Sequence, residues 1–217
     1  MAKTAFVRAR TRDQIEIRRA EILGAAAELI MESGFDNVSL NGIARRLGIA
    51  KSNIYRYFDG KEEIFFQVML GEYSDWFEDM KSRLEGEPKP ASDAVIAQHL
   101  TASLTNRERL CHFISVKASV VEKNLSEETA ARFSEILIPG VSDLAAVFVT
   151  CLPHLKPEQV MLLLRAVHAI IAGLWPMSQQ QFHEAGTDSP ERANWQTDFH
   201  RDLEQTAYYL LVGLRNG

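Results

Sequence analysis

Lys51, Ser52, Asn53, Tyr55 and Arg56 place five hydrogen-bonding side chains within one short stretch. An Asn can pair with two edge atoms of adenine and an Arg with two of guanine, while Ser accepts or donates to either. Lys and Tyr OH suit phosphate oxygens. Arg45 and Arg46 lie just upstream and Lys61 just downstream, so cations flank the base-reading set where a nucleic-acid backbone would pass. Ser39 adds a hydroxyl at the start of the same region. Such chemistry needs a rigid mount that carries one short helix into a major groove.

The stretch from Ser39 to Phe58 reads as that mount. Ser39 can cap a helix, and Leu40, Ile43, Ala44 and Leu47 follow at helical spacing. Gly48 then permits a left-handed turn. A second helix is predicted over Lys51 to Tyr57, with Ile54 and Tyr57 or Phe58 facing inward. Helices this short do not hold in water without an apolar partner. A preceding helix over about Gln14 to Ser33 supplies one, through a stripe of Ile15, Arg19, Ile22, Leu23, Ala26, Leu29 and Ile30, and Gly34 ends it.

The 217 residues suffice for one large or two smaller domains. Net charge is −5 overall, yet residues 1–60 carry 10 Lys/Arg against 7 Asp/Glu, leaving the remainder at −8. A basic head on an acidic body fits a polyanion site confined to one end. The two cysteines, Cys111 and Cys151, suggest a reducing interior rather than a disulfide framework. The first 19 residues lack the apolar core of a signal peptide. The longest apolar run, about Ala166 to Met177, is interrupted by His168 and Pro176 and reads as too short to span a bilayer. The expected location is the cytoplasm, with no membrane partner.

The remaining chain predicts an all-α body. Residues 1–13 form a basic arm, 14–60 a helix-turn-helix domain, 61–84 a connecting helix, and 85–217 a larger helical domain. The connecting helix carries Tyr73, Trp76, Phe77 and other apolar groups in excess of what the head needs. Further helices are predicted over Asp93 to Leu104, Asn106 to Lys123, Ser126 to about Leu152, Glu158 to about Trp175, and Asn194 to Leu214. Pro139–Gly140 should kink or split the third of these. The fourth is apolar on more than one face, which requires burial all round. The last two long helices together suggest a subunit interface, as in a four-helix bundle shared by two copies.

Residues 18–64 resemble the N-terminal domain of the TetR family of bacterial transcriptional repressors. The resemblance rests on ILGAAAELIMESGFDNVSL and GIARRLGIAKSNIYRYFDGKEEIF, including the aromatic pair Tyr57–Phe58 and the following Lys61–Glu62. It implies operator binding through Lys51, Ser52, Asn53, Tyr55 and Arg56, with supporting phosphate contacts at Ser39, Arg45 and Lys61. It also implies a homodimer formed by the last two long helices, and a small apolar or amphipathic effector held in the body whose binding releases double-stranded DNA. Three positions depart from the pattern. Ala50 replaces a capping Ser or Thr, Gly42 replaces an acidic residue, and Asn53 replaces a small or hydroxyl residue.

Candidate effector-lining groups are Phe113, Lys117, Phe133, Leu137, Phe148, His168 and Trp175. Lys117 and His168 stand out as polar groups on largely apolar helices, and a buried polar group needs a partner. The histidines and cysteines show no metal-ligand spacing. No Gly-rich phosphate loop and no nucleophile elbow occurs, so neither an enzyme, a metal site nor a cofactor is expected. The leading expectation is a ligand-responsive repressor on a palindromic operator. The alternative is a DNA-binding regulator of the same shape controlled by a protein partner or by abundance.

Overall fold

The computed structural model describes residues 12–124, 127–179 and 197–216. Among them the regular structure is all helical: α1 Arg12–Ser33, α2 Leu40–Leu47, α3 Lys51–Ile54, α4 Lys61–Glu85, α5 Asp93–Ala102, α6 Glu108–Asn124, α7 Glu127–Cys151, α8 Pro157–Gln179 and α9 Phe199–Asn216. A 3-10 turn, Phe35–Asn37, links α1 to α2. Contacts divide the chain into two compact units, Met1–Met69 and Leu70–Gly217. The proposed arm up to residue 11, the Ser126 cap and the polar loop at 186–193 lie outside the described residues.

In the first unit, α1 buries Ile22, Ala25, Ala26, Ala27 and Ile30. The alanines leave room for α2 and the 3-10 turn to approach closely, and Leu40, Ile43 and Ala44 fill the facing side. Ile54 and Phe58 close the core from the α3 side, both fully buried. Phe35 and Phe65 meet edge-on at 4.9 Å, which joins the 3-10 turn to the first turns of α4. Ile15, expected on the apolar stripe, is 41% exposed, because the inward face of α1 begins only at Ile22. The chain is already helical at Arg12, ahead of the expected Gln14.

In the second unit, α8 lies against α6, α7 and α9, and α9 against α5. Its core includes Leu100, Leu110, Phe113, Leu144, Phe148, Leu163, Val167, Leu203 and Leu211. Asp93, buried at the start of α5, pairs with Arg215 at 2.5 Å and tethers it to the end of α9. Trp76 donates to Ser103 Oγ at 2.8 Å, and Ser103 donates in turn to the Leu100 carbonyl.

Several boundaries differ from the sequence expectation for local reasons. Asn106 adopts φ 61°, a left-handed geometry that Asn tolerates, so α6 starts at Glu108 instead of Asn106. Arg201 N donates to Asp198 Oδ1 and Asp198 N to Asp202 Oδ2, both at 3.0 Å. This reciprocal cap sets the start of α9 at Phe199. Pro139 does not split α7, which runs through it. The proline is exposed, so water can satisfy the carbonyl one turn back. Likewise α8 continues past Pro176 to Gln179.

Helix α8 is not buried all round. Val160, Leu163, Val167, Ile171 and Trp175 are buried, whereas Leu162 and Met177 are 47% and 49% exposed. By length and mean hydropathy alone, Ala131–Cys151 and Pro157–Gln179 could each cross a membrane, contrary to the reading from the interrupted apolar run. Within the unit, however, one face of α8 packs on other helices, and Arg165 and His168 interrupt its apolar surface.

Candidate functional site

The head presents its polar set on an outward face. Ser39 caps α2 by accepting from Gly42 N at 3.1 Å. Gly48 sits at φ 65° and ψ 30°, and its amide returns to the Ala44 and Arg45 carbonyls, which closes α2 before the turn. Ile49 N donates to the Ala44 carbonyl at 3.0 Å. The chain then enters α3 at Ala50, whose extended backbone is cap-like but supplies no side-chain acceptor.

Helix α3 is regular only over Lys51–Ile54, shorter than the predicted span to Tyr57. After Ile54 the bonds tighten to three-residue spacing, Arg56 N to Asn53 O and Tyr57 N to Ile54 O. The tightening brings Phe58 into the core while Tyr57 stays half-buried. Lys51, Ser52, Tyr55 and Arg56 are exposed and Asn53 is half-exposed. The Lys51 ammonium lies 5.3 Å from the Tyr55 ring centroid. One small surface thus offers an ammonium, a hydroxyl, a carboxamide, a phenol and a guanidinium. Those groups can donate to phosphates and to base edges.

The remaining head cations divide into two kinds. Arg45 is exposed, with no ion pair among the described residues. Arg46 is committed: its guanidinium meets Glu32 at 2.6 Å and Glu28 at 3.3 Å, and the Glu32 hydrogen bonds raise its pKa and lower that of Glu32. Lys61 donates to the Phe35 and Val38 carbonyls at 3.4 and 3.3 Å and sits 4.5 Å from the Phe35 ring centroid. Arg19 donates to the Tyr57 carbonyl at 2.8 Å while stacking 4.5 Å from the centroid of Phe58. The sequence reading assigned Arg46 and Lys61 to phosphate and Arg19 to an apolar stripe. Here all three hold α1, α2 and the start of α4 around the reading surface. Lys61 keeps one further N–H for an outside acceptor.

The body holds a cavity of about 280 Å³, lined by Tyr73, Trp76, Phe77, Lys117, Leu137, Val141, Leu144, Met161, Leu164, Arg165 and His168. Of the seven predicted lining groups, Lys117, Leu137 and His168 are there. Phe133 stands beside it, 5.3 Å from the Lys117 ammonium. Phe113 and Phe148 are fully buried core, and Trp175 packs edge-on against Phe199. The sequence reading did not assign Tyr73, Trp76 and Phe77 of α4 to this space. Their surplus apolarity on the connecting helix was the available signal.

The polar atoms of the cavity are distinctive. Tyr73 OH and His168 Nδ1 are 3.1 Å apart, and their rings stack at 6.1 Å. Burial, and next the nearby Lys117 charge, pushes the His168 pKa down to about 4. Burial also lowers the Lys117 pKa and raises that of the Tyr73 phenol. His168 and Tyr73 are therefore neutral at pH 7. Among the described residues no group of three or more His, Cys, Asp or Glu could hold a metal ion.

Comparison with known proteins agrees with both units. Residues 22–68 match the family described as bacterial regulatory proteins, tetR family. Residues 70–217 match the tetracyclin repressor-like C-terminal domain. The chain is 27% identical over 108 residues to the transcriptional regulator HbdR of Aromatoleum, a stretch covering 50% of this chain and 40% of that protein. The matched stretches span 40% and 61% of the first two curated relatives, less than two thirds of either. In fold, the chain is similar to the fatty acid degradation regulator FadR of Bacillus halodurans. That match has a TM-score of 0.62 at 15% identity and covers 91% of this chain and 96% of that one. FadR of Bacillus subtilis in complex with stearoyl-CoA gives a TM-score of 0.58 at 19% identity, covering 89% and 97%.

Proposed function

The chain belongs to the tetR family of bacterial regulatory proteins, an all-α DNA-binding regulator, and from that premise we propose that it is a cytoplasmic homodimeric repressor released from a palindromic operator by a small molecule. The observation that carries the DNA half is the exposed set Lys51, Ser52, Tyr55 and Arg56 on a helix whose other side is pinned by Ile54 and Phe58. Arg45 supplies an uncommitted cation beside it. Asn53, half-exposed, reads at the edge of the surface.

The dimer half is supported by apolar surface that one chain leaves open. On α8, Leu162, Ala166, Ala169, Ile170, Gly173 and Met177 recur at helical spacing and are exposed or half-exposed. On α9, Tyr208 and Tyr209 are 39% and 64% exposed. A face of this kind on two adjacent helices suits an isologous four-helix contact. Two copies related by a two-fold axis would then address two half-sites.

The effector half is supported by the cavity. Helix α4 supplies Tyr73, Trp76 and Phe77 to its wall, while the first residue of the same helix, Lys61, grips the 3-10 turn of the head. A ligand that favours one setting of α4 over another would shift the population of operator-competent dimers. Selection of random duplex DNA by the purified protein tests the proposal, with mass in solution recorded alongside. An enriched palindrome bound by a dimer is the expected result. Arg56→Ala should then weaken binding by ~1–3 kcal/mol and relax preference at one base position. Equal weakening on all sequences would make Arg56 a phosphate contact instead. A folded dimer that enriches nothing would overturn operator reading.

A further inference from the structure

We propose that the body cavity takes a compact aromatic carboxylate, its anionic head paired with Lys117 and its ring set among Tyr73, Trp76 and Phe77. The inference rests on the ligand-responsive reading and names the ligand class for that same cavity.

Charge is the first argument. Among the described residues, the cavity lining contains Lys117 and Arg165 and no Asp or Glu. Neither cation has an ion-pair partner among the described residues, and the Lys117 ammonium lies 5.3 Å from the Phe133 ring centroid. A half-buried ammonium without a counter-ion carries a desolvation cost, and the lowered Lys117 pKa expresses that cost. An incoming carboxylate would provide the missing partner, whereas an incoming amine would add like charge. The Tyr73–His168 pair is neutral, so it contributes hydrogen bonding beside the ion pair without competing for the anion.

Shape is the second argument. Three aromatic side chains from two adjoining turns of α4 line one wall, with Tyr73 and Phe77 at 5.6 Å and Trp76 and Phe77 at 5.5 Å. Aromatic rings prefer offset or edge-on neighbours at such separations. A volume of about 280 Å³ lies at the small end of ligand pockets. It accommodates one ring and a short chain. Gly140 supports the same wall: a Cβ there would stand 2.8 Å from the Phe77 ring, so glycine lets α7 approach without pushing that ring into the cavity.

Calorimetric titration of the full-length protein at pH 7 with 4-phenylbutyrate, 4-phenylbutyramide and 4-phenylbutylamine tests this. The expected order is carboxylate at least tenfold tighter than amide, with the amine weakest. Lys117→Met should bring the carboxylate down to the level of the amide while leaving amide binding unchanged. The unchanged amide also shows that the variant's cavity is intact, and Lys117→Gln serves if the Met variant does not fold. Amide or amine binding as tightly as the carboxylate overturns the proposal. So does carboxylate binding that survives the loss of Lys117, and so does failure of the carboxylate to bind. The same compounds added to the operator-bound protein separate the two readings. Release by the amine or amide alone sinks the carboxylate but keeps the ligand-responsive regulator. A protein that binds no operator sinks the regulator reading, while the titration still decides the ligand class.

Discussion

The two units handle positive charge in opposite ways. In the head, cations either stand in solvent, as Lys51, Arg45 and Arg56 do, or are tied to carbonyls, rings and carboxylates of the head itself, as Arg19, Arg46 and Lys61 are. In the body, Lys117 lines a cavity with no carboxylate among its described lining residues. An exposed cation costs little to keep and binds a polyanion through long-range attraction and counterion release. A desolvated cation is unfavourable until a specific partner arrives. The first arrangement suits an extended surface ligand, and the second suits a small one.

The comparison is broken most forcefully at the head core. Phe58 is 2% exposed and lies under Arg19, so Phe58→Ala should cost ~3–5 kcal/mol in that unit. Urea unfolding followed in the head should show the loss, operator binding should fall with it, and the variant's mass in solution should stay that of the unsubstituted protein. A changed mass would show that the two units do not stand as separately as their cores suggest.

In the body, pH acts through His168. His168 has a folded pKa near 4 against 6.5 for the free side chain. Below pH 6.5 the unfolded chain takes up a proton that the folded chain refuses. Stability is therefore retained above about pH 6.5 and lost progressively as pH falls toward 4. Burial sets this first and the charge of Lys117 on α6 second; Tyr73 on α4 and Arg165 on α8 also line the space around the ring. The loss is on the order of 2–3 kcal/mol, and His168→Gln should flatten it in denaturation midpoints measured between pH 4 and 7. An unchanged pH profile would place the acid sensitivity elsewhere.

The smallest effect expected is a gain in the head. Ala50 has cap-like backbone angles, φ −74° and ψ 143°, with no side-chain acceptor. Ala50→Ser should stabilise α3 by ~0.5–1 kcal/mol, seen as a raised head melting temperature. The reading surface would then be held more firmly, and specific binding should rise or stay level. A fall in operator affinity would show that α3 uses its weak cap to adjust to DNA.

Much of the head was legible in the chain because its signals are local. Ser39, Gly48 and the spacing of Leu40, Ile43 and Ala44 each act within a turn or two, and cap, left-handed turn and buried face all follow. The inward Ile54 and Phe58, and the outward Lys51, Ser52, Tyr55 and Arg56, come from the same short period. The stop of α3 at Ile54 was not legible, because it depends on how Phe58 reaches a core built by α1 and α2.

In the body the sequence by itself determined the helical class, the approximate helices and the singular character of Lys117 and His168. Only the tertiary structure decided which aromatics join those two residues around one cavity. Tyr73 and Lys117 come from different helices, and Tyr73 and His168 are separated by 95 positions. Nothing in a helical period encodes such a pairing. The same reason gave Arg46 and Lys61, candidate phosphate contacts by residue type, partners inside the head. Charge type is a property of the residue, but the partner that takes up the charge is chosen by packing.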